Sequence, residues 1–112
     1  MSIKVENKDN YSVVSLAIEK LDSIISPSLK SEIVMLNKSG EKNIIVDLAQ
    51  VKYCDSSGLS ALLVGNRLCN ELDGTFVINS LQPMVQKLLE ISQLDKVLNI
   101  TSDMEDAEKK MA

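Results

Sequence analysis

Between Asn43 and Leu48, Ile44, Ile45, Val46 and Leu48 form a nearly continuous apolar run interrupted only by Asp47. A strand with one wet face alternates apolar and polar residues, whereas a run of this kind belongs to a strand buried on both faces. The segment therefore predicts a central strand, and a central strand requires cover on both sides. Downstream, Leu59, Leu62, Leu63 and Asn66 to Leu68 recur at helical spacing, which predicts an amphipathic helix from about Ser57 to Leu72. Between strand and helix lies Cys54-Asp55-Ser56-Ser57-Gly58, so Asp55 and Ser56 are candidate N-caps. The same free amides and the positive end of the helix dipole also suit an added phosphate. The residues alone leave two readings open, a structural cap and a modification site.

The elements around this junction follow from local signals. Ile3 to Asn7 and Ser12 to Ile18 read as strands, and Lys8-Asp9-Asn10 between them suits a hairpin turn, which makes the pair antiparallel. Ser26-Pro27 places Ser at a cap and Pro at the first helical position, with Leu29, Ile33, Val34 and Leu36 at helical spacing up to Ser39-Gly40. Asp73-Gly74 marks a turn before a short strand, Thr75 to Asn79, with Phe76 and Ile78 on one face. Pro83 lies in the first turn of a further helix whose buried face is expected to be Val85, Leu88, Leu89 and Ile91. Val97 to Ile100 reads as a short edge strand, and the acidic group Asp103, Glu105, Asp106 and Glu108 as one face of a tail helix ending in Lys109 and Lys110. Strands alternating with helices after an initial hairpin imply a mixed α/β sheet whose parallel strands are joined by crossovers. No linker-like stretch divides the 112 residues, so residues 1–112 are expected to form a single domain.

Composition excludes several functions. Only 3% of residues are aromatic and the net charge is −4, leaving few rings for stacking bases and the wrong sign for gripping a phosphate backbone, so no direct nucleic-acid partner is expected. There is no apolar run of about 18 residues and no basic segment leading into a hydrophobic one, so neither membrane insertion nor export is expected and the cytoplasm is the predicted location. The chain has no histidine, which removes the commonest general base and metal ligand. Cys54 and Cys69 lack C-x-x-C spacing and sit among apolar residues, as buried reduced thiols do. An enzyme using Ser56 or Cys54 as nucleophile would need an adjacent base, and Lys52 is the only nearby amine. No Gly-rich phosphate loop or acidic metal cluster is present, so no cofactor or metal is expected.

The order of elements and the residues at their junctions resemble the STAS family, and within it the stand-alone bacterial anti-anti-sigma factors (anti-sigma factor antagonists). The resemblance rests on Val46-Asp47-Leu48 followed by Val51-Lys52-Tyr53-Cys54-Asp55-Ser56-Ser57-Gly58-Leu59, which is similar to the family's strand, loop and Asp-Ser-Ser/Thr-Gly-Leu motif. Leu21-Asp22, Asp73-Gly74 and the segment Leu89 to Leu98 support it. It implies the STAS fold, a mixed sheet of about four to five strands with an N-terminal hairpin and about four helices packed mainly on one face. It also implies partner switching. The unmodified protein binds an anti-sigma factor that is itself a GHKL-type serine kinase, and so frees the sigma factor. Phosphorylation of the serine after the motif's Asp, here Ser56, ends that binding, and a cognate serine phosphatase reverses it. Ser57 is the secondary acceptor, and Asp22, Asp55, Ser56, Ser57, Gly58 and Leu59 form the expected partner-binding group. ATP and magnesium belong to the kinase.

Gly58 is expected to tolerate larger residues poorly because a partner must approach the loop closely. Where many members carry a Gly-Glu or Gly-Arg pair, this chain has Ala17-Ile18-Glu19-Lys20, and the following Ser23-Ile24-Ile25-Ser26 is more apolar than usual. Ile24 and Ile25 are thus either packed against the first helix or part of a docking surface. The alternative from another class is a non-phosphorylated STAS module in a larger lipid-transport or stress-signalling assembly, with Ser56 as a contact or a cap.

Overall fold

Ile44, Ile45 and Val46 are all fully buried, which is possible only because apolar layers cover both faces of the strand that carries them. The computed structural model describes residues 2–111. Strands β1 (Ile3–Asn7) and β2 (Ser12–Leu16) form the antiparallel hairpin, and a two-residue strand β3 (Lys20–Leu21) leads into helix α1 (Ser26–Lys38). The buried strand is β4 (Asn43–Asp47), followed by another two-residue strand, β5 (Tyr53–Cys54), and by α2 (Ser56–Glu71). The chain continues through β6 (Thr75–Asn79), α3 (Pro83–Ile91), a 3-10 turn (Leu94–Lys96), β7 (Asn99–Thr101) and α4 (Met104–Lys109). The main sheet has the order β1-β2-β4-β6-β7, antiparallel at the hairpin and parallel thereafter. This is the mixed α/β sheet that the element order predicts.

Alternation along the strands divides the core in two. Val14, Leu16, Ile44, Val46, Phe76 and Ile78 point to one face, where they pack with Leu29 and Ile33 of α1, Leu62 and Cys69 of α2, and Val85 and Leu89 of α3. Val13, Ile45 and Val77 point to the other, and there Ala107 of α4 and Met111 cover them. The small helix is fastened in its last turn and just beyond its end: Tyr11 Oη donates to Glu108 Oε2 at 2.6 Å, and Asn10 Nδ2 donates to the Met111 carbonyl at 3.0 Å. Glu108 also holds the Tyr11 hydroxyl above its ordinary pKa, first by that hydrogen bond. No helix among the described residues is long and apolar enough to cross a membrane.

Four local expectations change, the first being that β2 ends at Leu16 rather than Ile18. Ile25, not Ser26, is the N-cap of α1, and Pro27 is its second residue rather than its first. The reason is the carbonyl of Asp22, which accepts from the Ser26 amide at 2.8 Å and from its hydroxyl at 2.6 Å and so draws the side chain away from the capping position. Ile91 is 71% exposed instead of lining the core, because α3 ends there and the chain turns away into the 3-10 segment. The last strand begins at Asn99, two residues later than the apolar pattern implies, and Val97 is exposed beside it.

Both cysteines are free and buried, and burial pushes their thiols up to about 12 for Cys54 and about 11 for Cys69. A thiol so high holds almost no thiolate at neutral pH, and the thiolate is the reacting species. The native protein should therefore resist iodoacetamide at pH 8 and label stoichiometrically only in denaturant; ready labelling of the folded chain would contradict this burial. Gly65 faces the buried Phe76 ring so closely that a Cβ would lie 2.5 Å from it. Gly65→Val should lower stability by about 1–3 kcal/mol, the usual cost of overpacking, read as a lower urea midpoint.

Candidate functional site

The junction of β5 and α2 is positioned by the small parallel pair β3–β5, in which Lys20 faces Tyr53 and Leu21 faces Cys54. Strands of two residues have no hydrophobic period, so nothing in the sequence pattern announces them. Their pairing matters because it continues into the next residues. The Asp55 amide donates to the Leu21 carbonyl at 3.3 Å, which sets the turn after β3, containing Asp22, beside the start of α2. Lys52 is held at the surface by Glu19 at 3.1 Å, with both side chains mostly exposed.

Asp55 is the N-cap of α2. Its extended backbone and its Oδ1 place the carboxylate over the first turn, where it accepts from the amides of Ser57 at 3.0 Å and Gly58 at 3.2 Å. The Ser57 hydroxyl donates to the same oxygen at 2.6 Å. That hydroxyl is the largest influence holding the Asp55 carboxyl below its ordinary pKa, and the amides of Gly58, Ser57 and Ser23 act in the same direction against partial desolvation. Of the two cap candidates, Asp55 takes the role and leaves Ser56 free of it.

The two adjacent serines are consequently unlike. Ser56 is the first residue of α2, exposed, and its hydroxyl makes no hydrogen bond among the described residues. Ser57 is half-buried, donates to Asp55 and lies 3.2 Å from Ser26 Oγ on α1. Asp22 is half-buried in the neighbouring turn, where its own carboxylate accepts from the Ile24 amide at 3.0 Å. Asp22, Asp55, Ser56 and Ser57 are thus brought to one end of the fold. Leu59 is half-buried and packs against the core.

Gly58 belongs to the interior rather than to the surface. A Cβ there would lie 2.6 Å from Cys54 Sγ and 2.8 Å from both Cγ and the carbonyl oxygen of Leu21. Its small size is required by the packing of α2 on β3 and β5, which replaces close approach of a partner as the reason. The apolar pair divides as well: Ile25 packs on the core, whereas Ile24 is 81% exposed in the same turn as Asp22. Ser26 was not singled out by sequence as part of this group, since its place before proline reads as an ordinary cap.

Comparisons with known proteins agree with this architecture. The anti-sigma-B factor antagonist of Staphylococcus aureus is 25% identical over 105 residues, spanning 94% of this chain and 96% of that protein. Among solved structures, an anti-sigma-factor antagonist (STAS) domain protein from Planctomyces limnophilus superposes with a TM-score of 0.88 at 21% identity, covering 97% of each chain. The Bacillus cell fate determinant SpoIIAA in its phosphorylated form superposes with a TM-score of 0.77 at 20% identity, covering 98% of this chain and 99% of that one. Residues 2–107 match the STAS domain model, and the chain belongs to the STAS domain family.

Proposed function

We propose that this protein is an anti-sigma factor antagonist that works by partner switching, with Ser56 as the switch and residues 1–112 acting as one STAS domain in the cytoplasm. The observation that carries the reading is the contrast at the start of α2: Asp55 caps the helix, and Ser56 presents an exposed, unengaged hydroxyl. The name of the Staphylococcus aureus relative supports the same role. In the unmodified state the Ser56 end of the fold docks on an anti-sigma factor, which releases its sigma factor. That partner is a GHKL-type serine kinase. Its ATP loses the γ-phosphoryl group to Ser56 Oγ: the bond from phosphorus to the ADP oxygen breaks, the bond to Oγ forms, and the serine proton leaves to a base of the kinase or to water. A serine phosphatase restores the hydroxyl by hydrolysis.

Phosphorylation acts on docking rather than on folding. It adds about −1.5 to −2 charges and a bulky group in the middle of a contact surface, where the cost is desolvation and lost fit. In this switch the protein is a substrate and a binder, not a catalyst. No histidine supplies a base, and the one nucleophile of different chemistry near the site, the Cys54 thiol, is pushed up to about 12 by burial.

Peptide mass spectrometry of the protein from its native host tests the reading directly. One phosphate on Ser56 is expected, lost in Ser56→Ala; its absence under every growth condition with full coverage of the peptide would move the protein to the non-phosphorylated scaffold class. Ser56→Ala should keep the fold and remain bound to the captured kinase in the presence of ATP. Ser56→Asp should bind it at least tenfold more weakly, a change of about 1.4 kcal/mol, measured by titration calorimetry. The cap has its own signature. Folding lowers the Asp55 pKa from 3.8, so the ionised carboxylate favours the folded state; that contribution is complete well above pH 3.8 and is lost as the pH falls through the lower native pKa. The urea midpoint of the wild type should exceed that of Asp55→Asn at neutral pH, and the gap should narrow as the pH falls below 3.8.

A further inference from the structure

Two hydroxyls and two acid residues link the starts of α1 and α2. Ser57 Oγ lies 2.6 Å from Asp55 Oδ1, Ser26 Oγ lies 2.6 Å from the Asp22 carbonyl oxygen, and the two hydroxyl oxygens are 3.2 Å apart. Each serine owns one proton, so two protons serve three contacts. The two shorter contacts end on a carboxylate and a carbonyl, neither of which can donate, and they take both protons. The Ser57 proton therefore belongs to Asp55, and its oxygen is turned toward α1. For Ser57 to accept a phosphoryl group it would have to rotate out of this arrangement, stripping the cap oxygen of its hydroxyl donor. Ser56, one residue earlier, has nothing to break.

We infer that Ser57 is a positioning residue for modification at Ser56 and not a second acceptor. The Ser57 hydroxyl holds the Asp55 carboxylate over the first-turn amides. The capped first turn in turn fixes the direction in which Ser56 leaves the helix. Ser26 Oγ only packs against Ser57 Oγ there, since both hydroxyl protons are already committed.

The inference rests on the reading of Ser56 as acceptor, and two measurements separate their fates. The first is the ratio of phosphorylated to unmodified Ser56 peptide in full-length protein from the native host. Ser57→Ala should lower it about tenfold, the size of effect expected from losing one hydrogen bond to a charged group. Ser57→Thr, which keeps the hydroxyl, should restore it to within about twofold, a rescue that simple loss of packing would not show. Ser56→Ala should carry no phosphate on Ser57. The second is amide hydrogen exchange on the purified proteins: Ser57→Ala should speed exchange at residues 57–58, while Ser57→Thr matches the wild type. Phosphate on Ser57 in the Ser56→Ala protein, or an unchanged ratio in Ser57→Ala, overturns the inference. If the wild type carries no phosphate anywhere, the acceptor reading falls, and the positioning role falls with it as a role in modification; exchange at residues 57–58 left unchanged by Ser57→Ala overturns the support of the cap by Ser57.

Discussion

Burial of β4 on both faces is the constraint from which the rest of the architecture follows. Its three consecutive residues Ile44, Ile45 and Val46 have no access to solvent, and consecutive side chains on a strand point to opposite sides. One side demands the layer built by α1, α2 and α3; the other demands α4, which lies over Val13, Ile45 and Val77. A helix of six residues has little stability alone, so its place is set by what it covers and by its fastenings to Tyr11 and Asn10. The proposed functional end of the molecule depends on the same strand. β4 delivers the chain into the Leu48–Val51 turn, and from there β5 is laid against β3 and stops at Asp55.

The division of labour at that end is physical before it is functional. Gly58 and Cys54 are used up by packing: the first has no room for a side chain, and the second is a buried thiol with a raised pKa. Asp55 and Ser57 are used up by the cap and its support. What remains for the proposed partner is Ser56 on one side and the Asp22–Ile24 turn on the other, and the β3–β5 pairing sets them side by side. A surface built this way can change charge at one hydroxyl while every group that holds the loop keeps its own partners.

Much of this was legible in the chain, and the failures have definite causes. The hairpin, the buried strand, the boundaries of β6 and the helix after Asp55 follow from periodicity and turn residues, because in those segments local preference and tertiary packing agree. The two-residue strands β3 and β5 were not, since two residues carry no period and their pairing is decided by distant parts of the chain. Ser26 misled for a related reason: serine before proline is a good cap signal, but the carbonyl of Asp22 competes for its hydroxyl and wins. At Gly58 the sequence supports the need for a small residue and not its cause, which only the neighbouring Leu21 and Cys54 reveal. Ile91 continues the apolar pattern of α3 past the point where there is core left to cover.

The electrostatics of the proposed switch argue that its energy is spent at the interface. A phosphate on Ser56 would meet the favourable end of the α2 dipole, worth about 0.3–1 kcal/mol for an exposed anion. It would also meet Asp55, whose carboxylate already occupies the Ser57 and Gly58 amides that an incoming anion would otherwise use. Attraction to the helix end and repulsion from the cap act at similar range and oppose each other, so the free domain has little reason to gain or lose stability on modification. A docked partner changes that balance. It removes the water that screens both charges, and an uncompensated dianion beside a carboxylate then becomes costly. On this reading the cap proposed to orient Ser56 is also the group that would make a phosphorylated surface hard to bury.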